Sequence, residues 1–523
     1  MQAFLHMCRH YTLNPASNCV KSCPAGALFH GVHFFIMPHI FNPPALLSNT
    51  QMIKMNAPWK NAAHPFILEG FMVRDMTHGS PIKLIFGFWF PMLLGQLFQQ
   101  VYNLVDSIIV GRFVGVKAFA GISATGSLNF MILGFLLGLC SGCAIPVAQA
   151  FGENDPHKMR KFFANAIYLC GGIAVIMSVA TVILTRPILR WIGTPEDIMD
   201  EAYGYIVYIF GGMIAIMLYN LGSGVLRAVG NTRTPLYFLI LSCAVNVALD
   251  LLFVVVLRMG VSGAAIATVA AQLLSGGLCA RVIFKKYDVL RIRGEEWKPD
   301  PACLKRLSAL GTPMGLQFSI TAVGSLVMQT AVNGLGSGAV ASIGAGSKVY
   351  SLFCCPFDAI GATIATWCGQ NLGARRIDRV RVGVRESLFA MGAYAIVALF
   401  AVRMLGGSLV ELFISGSEQA VVADAVKYLN MVVFFFVPLM VIFVLRNALQ
   451  GLGFSRVAMF AGMFEMIARV FVAFALVGPY GFDGAILSNP TAWVMADVLL
   501  IPAYLHAIRR LQRETALVPA AAR

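Results

Sequence analysis

Charge is what this sequence has least of. Only 12% of its 523 residues are Asp, Glu, Lys or Arg, against 58% hydrophobic, and the mean hydropathy is +0.76. A soluble domain carries about a quarter charged residues. The scarcity excludes an ordinary soluble globular protein and points to a chain that crosses a membrane many times. Soluble-enzyme signatures are missing as well. No G-x-x-x-x-G-K-[S/T] phosphate loop occurs, which disfavours ATP hydrolysis by this chain as an energy source. No H-E-x-x-H or paired C-x-x-C layout occurs in the apolar part. The twelve cysteines are scattered, several inside apolar runs, and form no legible disulfide framework. Nor does the N-terminus show a signal-peptide layout.

What is present is a series of apolar runs, each long enough to cross ~30 Å of hydrocarbon. Twelve can be read: 82–111, 119–149, 162–184, 202–226, 235–257, 261–283, 307–335, 340–368, 387–412, 426–449, 456–477 and 482–507. The first seventy-odd residues differ, with six of the nine histidines and no sustained apolar period. His6, Cys8, His10, Cys19 and Cys23 match no zinc-module spacing, so residues 1–75 are expected to be either a disordered tail or an extension from an upstream start codon, the real start then lying near Met72 or Met76.

The net charge of +15 is an orientation signal rather than a nucleic-acid footprint. Basic residues concentrate in the loops after even-numbered spans, including Lys285, Lys286, Arg291, Arg293, Lys305 and Arg306, then Arg375, Arg376, Arg379, Arg381 and Arg385. The positive-inside rule places those loops and both termini in the cytoplasm. No nucleic-acid partner is expected, and the bilayer itself is the surrounding medium.

The chain also repeats itself. "AQAFG" with Gln149 and Gly152 returns as "GQNLG" with Gln370 and Gly373; "LRAVGNT" returns as "LQGLGFS", and "GVSGAAI" as "GFDGAIL". The near-constant offset divides the chain into 76–290 and 307–510, joined by a charged, proline-bearing linker at 291–306 and followed by a cytoplasmic tail, 511–523. Six spans per half is an even number, so the halves share one orientation, a parallel repeat. The expected fold is all-α and polytopic, twelve helices in two six-helix lobes.

Polar residues inside the spans carry the chemistry. Gln96, Gln99, Asn103 and Asp106 stand three, four and three apart, one stripe on the first span. A carboxylate at the bilayer centre costs roughly 2.5–3.5 kcal/mol on insertion scales, so such a stripe turns to the bundle interior or a wet cavity. The fifth span repeats the pattern with Ser242, Asn246 and Asp250, and the sixth offers Thr268, Gln272 and Ser275. Two acids from different helices meeting in one pocket would hold a proton or share a cation. In the second half Arg469 takes the place of Asn246 and Ala473 that of Asp250. Glu465 and Arg469, four apart, read as a structural ion pair. Lys348 and Arg446 are further candidates for buried cations, Arg446 alternatively reaching the interface, and Asp358 and Asp497 are acids without an evident partner.

Four stretches, "FPMLLGQLFQQVYNLVDSIIVGRFVG", "AIPVAQAFGENDPHKMRK", "GSGVLRAVGNTRTPLYFLILSCAVNVALDLLFVVVLRMGVSGAAIAT" and "GQNLGARRIDRV", resemble the multidrug and toxic compound extrusion (MATE) family of bacterial efflux transporters. The resemblance runs from about Gly79 to Arg510. It implies a V-shaped arrangement of two lobes in the bacterial plasma membrane that exports small organic cations by alternating access in exchange for H⁺ or Na⁺. No cofactor beyond that coupling ion, no enzymatic activity and a monomer go with it. It also implies that Asp106, Asn246, Asp250 and Thr268 form the coupling-ion site, with Gln99 and Asn103 beside them and Na⁺, if used, on Asp106 and Asp250. A fourth-span tyrosine belongs to that site, either Tyr205 or Tyr208. Pro91 matches a proline where the family's first helix bends. Acids that some members carry on the seventh and tenth spans are absent here. The alternative reading is a flippase for a lipid-linked substrate, which calls for an Arg- and Lys-rich cavity.

Overall fold

The computed structural model describes residues 74–413 and 418–516, all within one compact unit. The histidine- and cysteine-bearing N-terminal stretch lies outside them. Among the described residues there is no strand. The chain runs α1 (Pro81–Phe113), α2 (Val116–Gly152), α3 (Pro156–Trp191), α4 (Met199–Gly211), α5 (Met213–Ala228), α6 (Arg233–Asp250) and α7 (Gly260–Lys286). It continues with α8 (Pro301–Asn333), α9 (Ser337–Gly373), α10 (Ile377–Glu411), α11 (Gln419–Phe434), α12 (Phe436–Gly451), α13 (Ser455–Phe471), α14 (Val477–Ile486) and α15 (Ser488–Ala516).

Ten spans are long and apolar enough to cross a bilayer, and twelve when each of two bent pairs counts as one. The pairs are α4–α5, bent by 50°, and α11–α12, bent by 52°. They fall on the fourth and tenth apolar runs of the sequence, one in each half. The Gly211–Gly212 step explains the first break, because glycine holds a helix weakly. A side chain on Gly212 would also run into Val269, 2.3 Å away. The second break, at Phe435, has no such local signal. At the far end the eleventh run extends to Ile486 and the twelfth begins at Ser488 rather than near 482. Gly481, at φ 56°, turns the chain within α14.

Two large apolar cores form, and they do not follow the sequence halves strictly. One gathers residues from Ile109 to Leu307; the other runs from Ala345 to Ile508 but also takes Met76, Ile85 and Phe88. The start of α1 therefore packs into the second half, where the Trp89 indole donates to the Pro356 carbonyl at 3.1 Å. In the same way α8 lies against α2. A Cβ on Gly138 would sit 2.5 Å from the Met314 carbonyl oxygen, and one on Gly142 2.5 Å from Gly311 Cα. Small residues permit this approach, which is how helices gain contact in lipid.

The repeated glutamine motifs meet at one end of the bundle. Gln149 donates to the Gly451 carbonyl at 3.0 Å and accepts from Arg306 at 2.7 Å. Gln370 donates to the Ala228 carbonyl at 2.8 Å and accepts from the Met76 N–H at 3.0 Å. Three of these bonds tie one half of the sequence to the other, and the fourth ties the first half to the end of the linker. A Cβ on Gly152 would lie 1.9 Å from the Gln370 carbonyl oxygen, and one on Gly373 1.9 Å from that of Gln149. The motif spacing seen in the sequence is thus a reciprocal contact in space.

The linker is not a loose tether. A short 3₁₀ turn, Gly294–Trp297, docks on α3. Glu296 binds Arg160 and His157, and Lys161 holds Asp300 at 2.6 Å.

Candidate functional site

The carboxyls of Asp106, on α1, and Asp250, at the end of α6, are close enough to interact directly. Asp250 is fully buried, and Asp106 is half-buried. Neither Asp250 oxygen has a hydrogen-bond partner in the chain, nor does Asp106 Oδ1. Asn246, one turn before Asp250 and 1% exposed, has an unpartnered side-chain oxygen and nitrogen. Buried polar atoms without partners are expensive. Here several converge, and what they suit is an exchangeable proton or a hard cation that prefers oxygen ligands. Among the described residues no group of three or more His, Cys, Asp or Glu could hold a metal ion.

Next to the pair is a small crevice with room for about one water, lined by Gln99, Tyr102, Ser242, Asn246, Thr268 and Gln272 together with Leu239, Cys243 and Ala271 from α1, α6 and α7. The i, i+4 spacing of Ser242 and Asn246 aims both at it, with Asp250 one turn further along α6. Thr268 accepts a hydrogen bond from the Tyr102 hydroxyl at 3.1 Å. Tyr102 was not among the residues singled out from sequence. Its signal was available, since it stands three after Gln99 and four before Asp106, on the same stripe. Directly after Asp250 the helix relaxes into a π-turn, Leu251–Val256, and the second half repeats one at Val472–Leu476. Such insertions often mark functional positions in helices.

Of the other sequence candidates, Tyr205 is buried beside both acids, whereas Tyr208 is 46% exposed. Asn103 lies on the exposed side of α1. Pro91 is buried in α1, which runs unbroken through it. Lys348 is exposed on α9, whereas Glu465 and Arg469 are buried. Glu465 is shared: Arg446 reaches it at 2.8 Å and Arg469 at 3.5 Å. Of the two places the sequence left open for Arg446, buried or at the interface, the first holds: its guanidinium turns inward, because a carboxylate on the neighbouring α13 is a better partner in lipid than a distant headgroup.

Comparison with known proteins follows the same outline. The MatE family model matches twice, over residues 91–252 and 313–475, one copy in each half. The chain is 30% identical over 381 residues to a probable multidrug resistance protein, YpnP, of Bacillus subtilis, covering 72% of this chain and 84% of that one. It is 24% identical to the FAD transporter of Shewanella oneidensis, covering 59% and 69%. A solved structure described as the outward-facing conformation of a multidrug resistance MATE family transporter superimposes with a TM-score of 0.78 at 20% identity, covering 85% and 98%. Fold and duplication define a polytopic membrane transporter. The chain belongs to the MatE family of such transporters.

Proposed function

We propose that the protein is a secondary antiporter that exports cationic, amphipathic small molecules in exchange for H⁺ or Na⁺. The observation that carries this reading is the meeting of Asp106 and Asp250 from two different helices, with unpartnered oxygens, beside a small crevice inside the membrane. A pair of that kind gives up or takes a positive charge as its surroundings open to one side or the other. Two halves rocking about the midplane provide the alternation. With the basic loops on the inside, the glutamine contacts between Gln149 and Gln370 close the cytoplasmic end, and both termini are cytoplasmic. The relatives described as multidrug resistance proteins support the substrate class.

The test is efflux of a fluorescent organic cation from proteoliposomes under an imposed pH gradient, then under a sodium gradient. The reading expects one gradient to drive efflux in the wild type and both Asp106→Asn and Asp250→Asn to abolish the coupling. Movement indifferent to both gradients would contradict antiport and favour a flippase for a lipid-linked substrate.

A further inference from the structure

The short lead-in to α1, residues 74–80, is seated at the same end of the bundle as the glutamine contacts. Met76 is fully buried, in one apolar core with Ile85 and Phe88. Its N–H donates to the Gln370 side-chain oxygen at 3.0 Å, and its carbonyl accepts from Arg379 Nη2 at 3.0 Å and from the Asn371 amide at 3.3 Å. Arg379 Nη1 donates to the Gly79 carbonyl at 2.8 Å. Two residues before Met76, the Arg74 backbone lies against the turn after α5, so close that a Cβ on Gly230 would collide with the Arg74 carbonyl oxygen. Gly230 belongs to the first half; Gln370, Asn371 and Arg379 belong to the second. A short stretch of chain therefore touches both halves where they meet.

Arg379 sets this loop apart from an ordinary connection. It is 8% exposed and lies over the Trp367 ring, 5.0 Å from its centroid. Its hydrogen bonds to Met76, Gly79 and the Asn371 side chain all go to uncharged oxygens, and it makes no ion pair among the described residues. A buried cation held in that way depends on those oxygens staying in place. Asp75 does not compete for it, because its carboxylate turns back onto Thr77 and His78. The lead-in can thus leave without stranding an acid, and Arg379 meets water as the end opens. The matching corner at Gln149 is built otherwise. There the partner of the glutamine oxygen is Arg306, at 2.7 Å, a residue of α8 itself. One corner is closed by a helix, the other by a detachable loop.

We propose that residues 74–80 form a removable strap across this end. Seated, the strap pins Gly230 on one half against Gln370, Asn371 and Arg379 on the other and keeps the end shut. Withdrawn, it frees both halves, and the end opens toward the cytoplasm. The strap rests on the proposed antiport, in which the halves part at this end, and it is the segment that has to move first. Asp106 and Asp250 take no part in it, so loosening the strap leaves the coupling site intact.

The experiment uses the full chain in lipid nanodiscs and reads two things. Tryptic cleavage after Arg74, identified by mass spectrometry, reports whether the strap is seated. Hydrogen exchange over 449–454, the turn at the Gln149 corner, reports whether the whole end has opened. The variants are Arg379→Gln, which removes the grip on the carbonyls, and Met76→Ala, which removes the buried anchor and keeps the test open if the first variant misfolds. The proposal expects cleavage after Arg74 to quicken at least fivefold in both, and exchange over 449–454 at least threefold. Faster cleavage with unchanged exchange overturns it, because the lead-in is then a passive anchor. Unchanged cleavage overturns it as well, since neither contact then holds the segment. Wild-type protein that drives no organic-cation efflux under either gradient, with both readouts responding as expected, contradicts the proposed export function while the strap stands.

Discussion

Glu465 shows how much rests on single residues inside the membrane. It is 4% exposed and neutralised by two guanidiniums. Removing one partner of a buried pair leaves the other uncompensated, at about 3–5 kcal/mol. Glu465→Met strands both guanidiniums and should therefore lower the thermal stability of the purified protein sharply, whereas Arg446→Met leaves Glu465 its contact with Arg469 and should cost less. Melting curves of both variants check this, and a Glu465→Met protein as stable as Arg446→Met would contradict it. At the coupling site, Tyr102→Phe removes one hydrogen bond to Thr268, worth about 0.6 kcal/mol in membrane proteins. The fold should survive while transport falls a few-fold, as read by efflux rate at equal expression. The acids and amides of this site were legible in sequence because they share one helical face. Tyr102 shares it too, and its spacing from Gln99 and Asp106 carried the signal, although an aromatic on an apolar span more often reads as packing. The choice between burial and interface stayed open for Arg446 for a related reason: its partner is nineteen residues away on another helix, and only helices read singly were visible.

Helices and linkers answer to different forces. The glutamine contacts make each half hold the other, so disturbing one motif should loosen both. Gln370→Ala removes two cross-half bonds, about 1.2 kcal/mol, or roughly sevenfold in the balance between closed and open ends. Hydrogen exchange in nanodiscs should then quicken over 149–155 as well as over 370–376; a change confined to the mutated segment would contradict a reciprocal latch. The linker depends on charge. The Lys161 ammonium, then the Ala302 N–H, hold the Asp300 carboxyl at about 2. That is below the ordinary value of about 3.9, so its contribution to docking is complete above about pH 4 and is lost as the pH falls through 2. Asp300→Asn mimics the protonated state at neutral pH and should speed tryptic cleavage after Arg291 and Arg293; an unchanged rate would count against the docking. In sequence this segment read as a plain tether, because the partners that pin it, Arg160, His157 and Lys161, are more than a hundred positions away.

At the scale of the whole molecule, duplication organises everything else. The offset visible in three short motifs reappears in the two family-model matches and in the paired bends and π-turns. Twelve spans were legible because length and hydropathy alone set them. The packing of α1 into the second half was not, since apolar residues do not name their neighbours. Yet the halves have diverged where it matters: the first keeps two unpaired acids, and the second has Arg469 where the first has Asn246. A symmetric scaffold with one exchangeable site accounts for that difference, and transport should draw on the first half alone for coupling. The most direct measurement is counter-ion flux during efflux of an organic cation from proteoliposomes, wild type beside Asp250→Asn and Arg469→Lys. Efflux matched by opposite movement of H⁺ or Na⁺ in the wild type and in Arg469→Lys, and uncoupled in Asp250→Asn, is the predicted result. Full coupling without Asp250 would contradict it.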